Sequence, residues 1–360
     1  MSKESQNIFG NRLKLARKMA GMSLQDLSDA LINKVSKQAL SKYETGLMNP
    51  TSEVLLAIAK ALNIKPDYFL KEQQINLGNI LFRKKTSLSK KDEDSIVEKA
   101  RDYIERYVEI ENILMIENTF KNPLKDLKIT DKRNVEFAAN QLREIWEIGN
   151  DPIPNIIETL EFKGVKVMLI DDVDDVDGFA AFTSNGIPVV VINTRGKSIE
   201  RIRFTIIHEL AHLLLIFDAS KYFTDKEIEV LCHCFSSCFL IPTKMLVKMI
   251  GDGKRTYIAI KELISIKEYF GISIRALVHR LRDLEIITPN YYQRWVIYMS
   301  KTYGHKEEPG NYKGEEKSRL FEQYINRALS EELISLSKAA SLSNLSINQI
   351  RKGDAVVKGR

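Results

Sequence analysis

The sequence predicts an α+β chain that is mostly α: a small head of five short helices, a larger domain in which a few strands flank helices, and a helical carboxy-terminal region. Three observations carry this. Apolar residues recur at helical spacing along most of the chain, runs rich in β-branched residues are confined to residues 165–193, and 360 residues are enough for two or three domains. Apolar residues make up 44% and charged residues 28%, which excludes wholesale disorder and fibrous repeats; no repeat of 20–50 residues is found.

The head is expected over residues 1–70. Ile8, Leu13, Leu15, Ala16 and Met19 share a helical face, and Gly21 ends that helix. Ser23 is a suitable N-cap for a second helix carrying Leu24, Leu27 and Leu31, a third covers residues 36–43, and Thr51 or Ser52 caps a fourth. Pro66 opens the last short turn. Residues 71–125 are charge-dense, with RKK at 83–85 and KKDED at 90–94, and are expected to form a linker helix or helical hairpin.

A second globular domain is expected over residues 126–255. It starts with the long helix VEFAANQLREIWEIG, followed by strands at 165–170, 178–183 and 188–193, the last two joined by an Asn185-Gly186 turn. Helices then cover 199–216 and 226–240. A helical subdomain is expected over 256–300, and residues 301–360 are read as a solvated loop, 301–318, and a helical tail, 320–350.

The net charge of +6 is modest, but residues 1–70 hold ten Lys or Arg against six Asp or Glu, so about four of the six charges sit on the head. Such a basic head suits nucleic acid. The longest apolar-looking run, 204–217, contains two His and a Glu and falls short of the ~20 residues of a membrane span, and the opening residues are polar. The three cysteines, Cys232, Cys234 and Cys238, are too close together for a disulfide framework. A cytoplasmic protein with no membrane partner is expected.

Residues 12–50, with ARKMAGMSLQDLSDAL and SKQALSKYETG, resemble the Cro/repressor-type helix-turn-helix of the Xre family. The resemblance implies that the third helix enters the major groove of double-stranded DNA, with Lys37, Gln38, Ser41 and Lys42 as its outward residues. Gln38 has the paired donor and acceptor that adenine matches, and Lys37 suits guanine; Gln25 and Lys42 are better placed for phosphates. The resemblance further implies an Arg17–Glu44 ion pair. The connection INKVS is about two residues longer than is usual in this family. A single head makes few phosphate contacts, so tight binding calls for two half-sites and a homodimer.

The sequence FTIIHELAHLLLI contains His208-Glu209-Leu210-Ala211-His212. This is the H-E-x-x-H pattern of the zincins. Four residues apart on a helix, the two imidazoles reach one Zn²⁺, and Glu209 can act as general base on the attacking water. A hydrolytic site needs a third protein ligand, and the next helix, KEIEVLCHCFSSCFLIP, offers Glu227, Glu229 and His233. Glu229 and His233 share a face, so one coordinates while the other serves as outer support or meets substrate.

This helix resembles that of the ImmA/IrrE metallo-endopeptidases, whose pattern is close to E-x-x-A-N-x-F-A-x-x-L-L-x-P. Glu229, Cys232, His233, Phe235, Ser236, Phe239, Leu240 and Pro242 occupy those positions. The resemblance implies Glu229 as third zinc ligand, with Cys232, His233 and Ser236 as departures. It extends upstream to GFAAFTSNGIPVVVINT, implying an edge strand on which an extended peptide substrate pairs, and downstream to FGISIRALVHRLRDLEII.

Other features read more plainly. The cysteines suit small buried apolar positions, and DDVDDVDG at 171–178 lacks an EF-hand register and reads as a solvated loop. Residues 265–287, with Arg275, His279, Arg280 and Arg282, read as a helical subdomain packed on the peptidase rather than a second DNA contact. His305 has no assigned role. The expectation is a regulator coupling an Xre-type head to a zinc endopeptidase that cleaves a transcriptional repressor or similar protein. The alternative is a non-proteolytic, antitoxin-like DNA-binding repressor whose zincin domain senses or binds a partner.

Overall fold

The computed structural model describes residues 8–32, 34–71, 75, 77–78, 81–82, 89–117, 120–171, 176–304 and 307–351. The fold is α+β and mostly helical, as expected. The head comprises α1 (Ile8–Met19), α2 (Leu24–Ala30), α3 (Lys37–Glu44), α4 (Ser52–Ala61) and a 3₁₀ turn, Pro66–Leu70. Ser23, Ser36 and Thr51 cap α2, α3 and α4 by accepting from backbone N–H groups in the first turn, and Asp26 completes a capping box with Ser23. Leu13, Ala16, Leu27, Leu40, Ile58 and Phe69 close the core. Arg17 grips Glu44 through two bonds, Nε–Oε1 at 2.6 Å and Nη2–Oε2 at 3.0 Å, joining α1 to α3.

After the head come β1 (Leu81–Phe82) and α5 (Lys90–Ile113). At 1.5 Å per residue α5 is about 36 Å long, a single helix with a buried stripe beneath its charges. Ile96, Ala100 and Ile104 pack on the central sheet, while Tyr107, Ile110 and Leu114 pack on the carboxy-terminal helices. On the head side Arg12 pairs with Glu105 at 2.6 Å, Lys18 with Asp94 at 3.0 Å, and Ser95 Oγ donates to the Met19 carbonyl at 2.8 Å. The apolar spacing at 96, 100, 104, 107 and 110 was legible, but the surrounding charge masked it.

The rest of the chain contains β2 (Lys128–Ile129), α6 (Lys132–Ile145), α7 (Ile156–Phe162), β3 (Lys166–Ile170), β4 (Gly178–Phe182), β5 (Pro188–Asn193), α8 (Ile199–Leu214), β6 (Ile216–Phe217) and α9 (Asp225–Leu240). Then follow α10 (Thr243–Ile250), α11 (Ile260–Phe270), α12 (Ile274–Asp283), α13 (Pro289–Tyr303), α14 (Leu320–Ser330) and α15 (Leu336–Ser343). The central sheet has the order β1-β4-β5-β3, with β3 parallel to β5 and the other pairs antiparallel; β2 and β6 form a separate parallel pair. The period of two in β5 splits its apolar residues between faces. Val190 and Ile192 share a core with Ile206, Ile207 and Leu210 of α8, whereas Val189 and Val191 face α5.

Residues 301–318 differ from the expected solvated loop. The first of them finish α13, and from 311 to 319 exposed positions alternate with half-buried ones. The inward residues secure α8. Glu316 pairs with the fully buried Arg203 of α8 and also accepts from the backbone N–H groups of Ile156 at 2.7 Å and Ile157 at 3.1 Å. Arg203 further donates to the carbonyls of Ile153 at 2.8 Å and Gly271 at 3.0 Å, and its guanidinium lies 4.7 Å from the Tyr312 ring centre. Polar composition suggested solvent; a buried Arg in need of acceptors supplied the opposite. Among the described residues no single helix is long and apolar enough to cross a membrane.

Candidate metal centre and nucleic-acid interface

Ser198 caps α8 and the Asn122 amide donates to the Leu214 carbonyl at its far end, at 2.9 Å, so both ends of the helix have polar partners. Ile206, Ile207, Leu210, Ala211 and Leu214 bury one side. His208 and His212 emerge together, their Nε2 atoms 3.0 Å apart; His208 is 1% exposed and His212 is half-buried. Glu209, also 1% exposed, lies one position along toward the sheet. Gly178 begins β4 here, and a Cβ added to it would lie 3.5 Å from Glu209 Cγ and only 2.6 Å from the Val191 carbonyl. A side chain at 178 would collide with the β5 backbone and force the end of β4, which lies against Glu209, out of register.

The third donor comes from α9. Its amino end is held by a capping box in which the Glu227 carboxylate accepts from Thr224 N at 2.9 Å, lowering the Glu227 pKa through that backbone bond first and the Thr224 side chain second. Glu227 is thus engaged at the helix cap. Glu229 reaches the imidazoles instead, with Oε1 3.2 Å from His212 Nε2 and Oε2 3.5 Å from His208 Nε2. One donor atom from each of His208, His212 and Glu229 lies within 4.8 Å of the others. Two imidazoles and one carboxylate, open on one side, are a donor set that fits Zn²⁺ with a position left for water or substrate.

His233 lies outside that trio. Its exposed ring packs 4.6 Å from the His208 ring centre and stacks on Phe204 at 5.6 Å. Cys232 is buried, as its apolar character suggested, but it also has a polar contact that the sequence reading missed. Its Sγ is 3.7 Å from His212 Nδ1, the ring atom opposite the one facing Glu229. A sulfur there can accept from Nδ1–H, the tautomer that leaves the lone pair on Nε2. The i, i+3 spacing from Glu229 to Cys232 was the available clue.

The expected edge strand is not bare. The outer side of β4 is paired antiparallel by β1, Leu81 opposite Ala180 and Phe82 opposite Phe179, and Leu77 bridges Thr183.

In the head, Lys37, Gln38 and Lys42 are exposed on α3, and Ser41 is half-buried beside them, above the buried Leu40 and Tyr43. Gln25 is exposed at the start of α2, where its amide donates to Asp29 at 2.9 Å. After α2, Ile32 takes φ +56°, the left-handed turn that absorbs the long connection, and Ser28 Oγ ties the turn down by donating to the Val35 carbonyl at 2.7 Å.

The basic residues at 265–287 are internally committed. Arg280 is buried and bonds to Cys238 and Thr243, Arg275 donates to the Gly304 carbonyl at 2.7 Å, and Arg282 reaches Asp283 at 2.7 Å. Of the acidic run 171–178, residues 172–175 lie outside the described residues, as do RKK at 83–85 and His305. Asp177 is paired with Lys197 and Arg201, both at 3.0 Å.

Two family descriptions match this chain: a helix-turn-helix over residues 13–69 and an IrrE N-terminal-like domain over residues 161–282. The chain is also similar to the SPbeta prophage-derived uncharacterized HTH-type transcriptional regulator YonR of Bacillus subtilis (strain 168). The two are 34% identical over 76 residues, which is 21% of this chain and 68% of that protein.

Proposed function

Because the chain belongs to the HTH-type transcriptional regulators and carries an IrrE N-terminal-like domain behind its head, we propose that it is a cytoplasmic DNA-binding regulator with zinc-dependent endopeptidase activity. Its substrate is a regulatory protein such as a transcriptional repressor. The observation that carries this reading is the convergence of His208, His212 and Glu229 beside a buried Glu209. These three residues hold Zn²⁺. When bound, zinc supplies a Lewis acid that polarises the scissile carbonyl and acidifies water. Glu209 takes the proton of the attacking water and returns it to the leaving amine. The Cys232 contact keeps the His212 Nε2 lone pair directed at the site, and His233, beside His208 on the open side, meets the substrate or the developing oxyanion.

The head binds double-stranded DNA through α3, with Gln38 and Lys37 at base edges and Gln25, Ser41 and Lys42 at the rim and backbone, as a homodimer on two half-sites. Elemental analysis of the purified protein tests the metal part. About one Zn²⁺ per chain is expected, lost in both His208→Ala and Glu229→Ala; a folded wild type that takes up no zinc overturns it. Incubation with a proteome-derived peptide library, read by mass spectrometry, tests the chemistry, the expected products being absent with Glu209→Gln.

A further inference from the structure

In the central sheet, β5 has neighbours on both sides, and β4 would be the open edge if only the second domain contributed. That edge has the right place for a substrate. Its amino end, Gly178, lies against Glu209, so a peptide added along β4 in an extended conformation would run toward the donor cluster. An open row of N–H and C=O groups recruits any available strand. Here the recruit comes from the chain itself.

We propose that the segment carrying Leu77, Gly78, Leu81 and Phe82 is a built-in occupant of the peptide-docking edge of β4, and that it must leave before another polypeptide can add there. The inference rests on the peptidase reading for its consequence, though not for its geometry. Its described residues pair at both ends of the edge: Leu77 opposite Thr183, Leu81 opposite Ala180, and Phe82 opposite Phe179, the neighbour of Gly178. It runs antiparallel, and Gly78 N donates to the Phe182 carbonyl at 2.8 Å. Gly78 is also the residue this approach requires. A Cβ built there would be 2.9 Å from that same carbonyl oxygen, closer than real Cβ atoms come, and the obstacle is backbone.

The attachment of the segment explains how it is released. Upstream, Ile75 is buried among Ile96, Ala100, Ile104 and Phe179, and Lys71, at the base of the head, pairs with Glu109 of α5 at 3.2 Å. The head itself rests on α5 mainly through charges: Arg12–Glu105, Lys18–Asp94 and the exposed Lys91–Asp26 at 3.8 Å. Lys18–Asp94 and Lys91–Asp26 are partly or well exposed and therefore weak and salt-screened, whereas Arg12–Glu105 is buried and is the contact that has to break for the head to lift. Only a few residues separate the head from the strand, so lifting the head from α5 pulls on the occupant of β4. Clearing the edge is thereby coupled to the position of the DNA-binding head.

The experiment uses the full chain in a Glu209→Gln background, with Gly78→Pro to remove the donor and Gly78→Val to create the collision, so that a folding defect of one variant does not decide the outcome. The probe is a fluorescein-labelled peptide of residues 75–84, read by anisotropy, with hydrogen exchange at the β4 amides as a second readout. If the edge is open only a few per cent of the time in the parent, both variants bind the peptide about 10- to 100-fold tighter. The β4 amides exchange faster in both variants without peptide and regain protection with it. Equal affinity in parent and variants, absence of peptide binding in all, or unchanged exchange at β4 overturns the proposal. Neither readout needs turnover, so a wild type that holds no zinc or cleaves nothing defeats the peptidase reading alone.

Discussion

The third helix of the head, α3, and the donor-bearing helix α8 place their polar side chains in opposite settings. On α3, Lys37, Gln38 and Lys42 stand in solvent while Leu40 and Tyr43 hold the helix from below. On α8, His208 and Glu209 are buried, and the helix is fixed by an apolar core, the β4 contact at Gly178 and the Arg203–Glu316 clamp. The difference suits what each surface would meet under the proposed function. DNA bases and phosphates arrive hydrated and are read by side chains free to adapt, whereas a metal and a general base act only when their groups are already held in place. Substitutions in the head should therefore alter binding with little change in stability, and substitutions around α8 should alter activity or stability sharply.

The largest contrast is expected for Glu209→Gln. Cleavage should fall by about 10²–10⁴-fold while zinc content and operator binding stay at wild-type levels; a parallel loss of DNA binding would show that the two regions are not separable. Next in size is Arg203→Met. It leaves the Glu316 carboxylate buried without its cation, and unfolding free energy from denaturant titration should drop by about 3–5 kcal/mol. A change under 1 kcal/mol would mean that the strap at 311–319 is not what secures α8.

A third effect depends on pH. Burial pushes the Glu161 pKa up to about 7, the largest cause, opposed by the Ser318 hydroxyl bond at 2.7 Å and by Lys166. With the folded pKa above the unfolded one, the native state binds the extra proton. Its contribution is complete below pH 4.5 and is lost as pH rises through about 7. Glu161→Gln should match wild type in thermal stability at pH 5 and exceed it at pH 8, by at most about 3 kcal/mol; an unchanged difference between the two pH values would refute the assignment. The smallest effects are expected in the head. Gln38→Ala should cost about 1–3 kcal/mol of operator affinity and relax one base position, and Lys42→Ala should reduce the salt slope by about one, neither moving the melting temperature by more than a degree or two.

Much of the candidate site was legible because its pattern is local. His208 and His212 are one helical turn apart, and α8 follows from the surrounding Ile and Leu spacing. The strands at 166–170, 178–182 and 188–193 were likewise announced by their β-branched runs and the Asn185-Gly186 turn. Two segments hid their buried residues for one reason, though the helix in the first was expected. In α5 and in residues 301–318 the charged residues outnumber the apolar ones, yet Ile96, Ala100 and Ile104 in the first, and Glu308 and Glu316 in the second, are turned inward. Composition averages over faces, whereas burial is decided residue by residue.

Local order along the chain was enough for the helix-turn-helix caps, the Arg17–Glu44 brace between its helices, the pair of imidazoles and the buried neighbour Glu209, since each depends on spacing within a helix or on a family pattern. Among Glu227, Glu229 and His233 the family pattern pointed to Glu229, and only the tertiary structure supplied the geometry: the first is taken up by the cap, the second reaches the imidazoles, and the third packs on the outer side. It likewise decided that the free side of β4 is covered by residues from the head side of the chain, nearly a hundred positions earlier. These outcomes depend on which distant segments meet across the sheet and the helix pair, and a period of 2 or 3.6 along one segment carries no information about its partner.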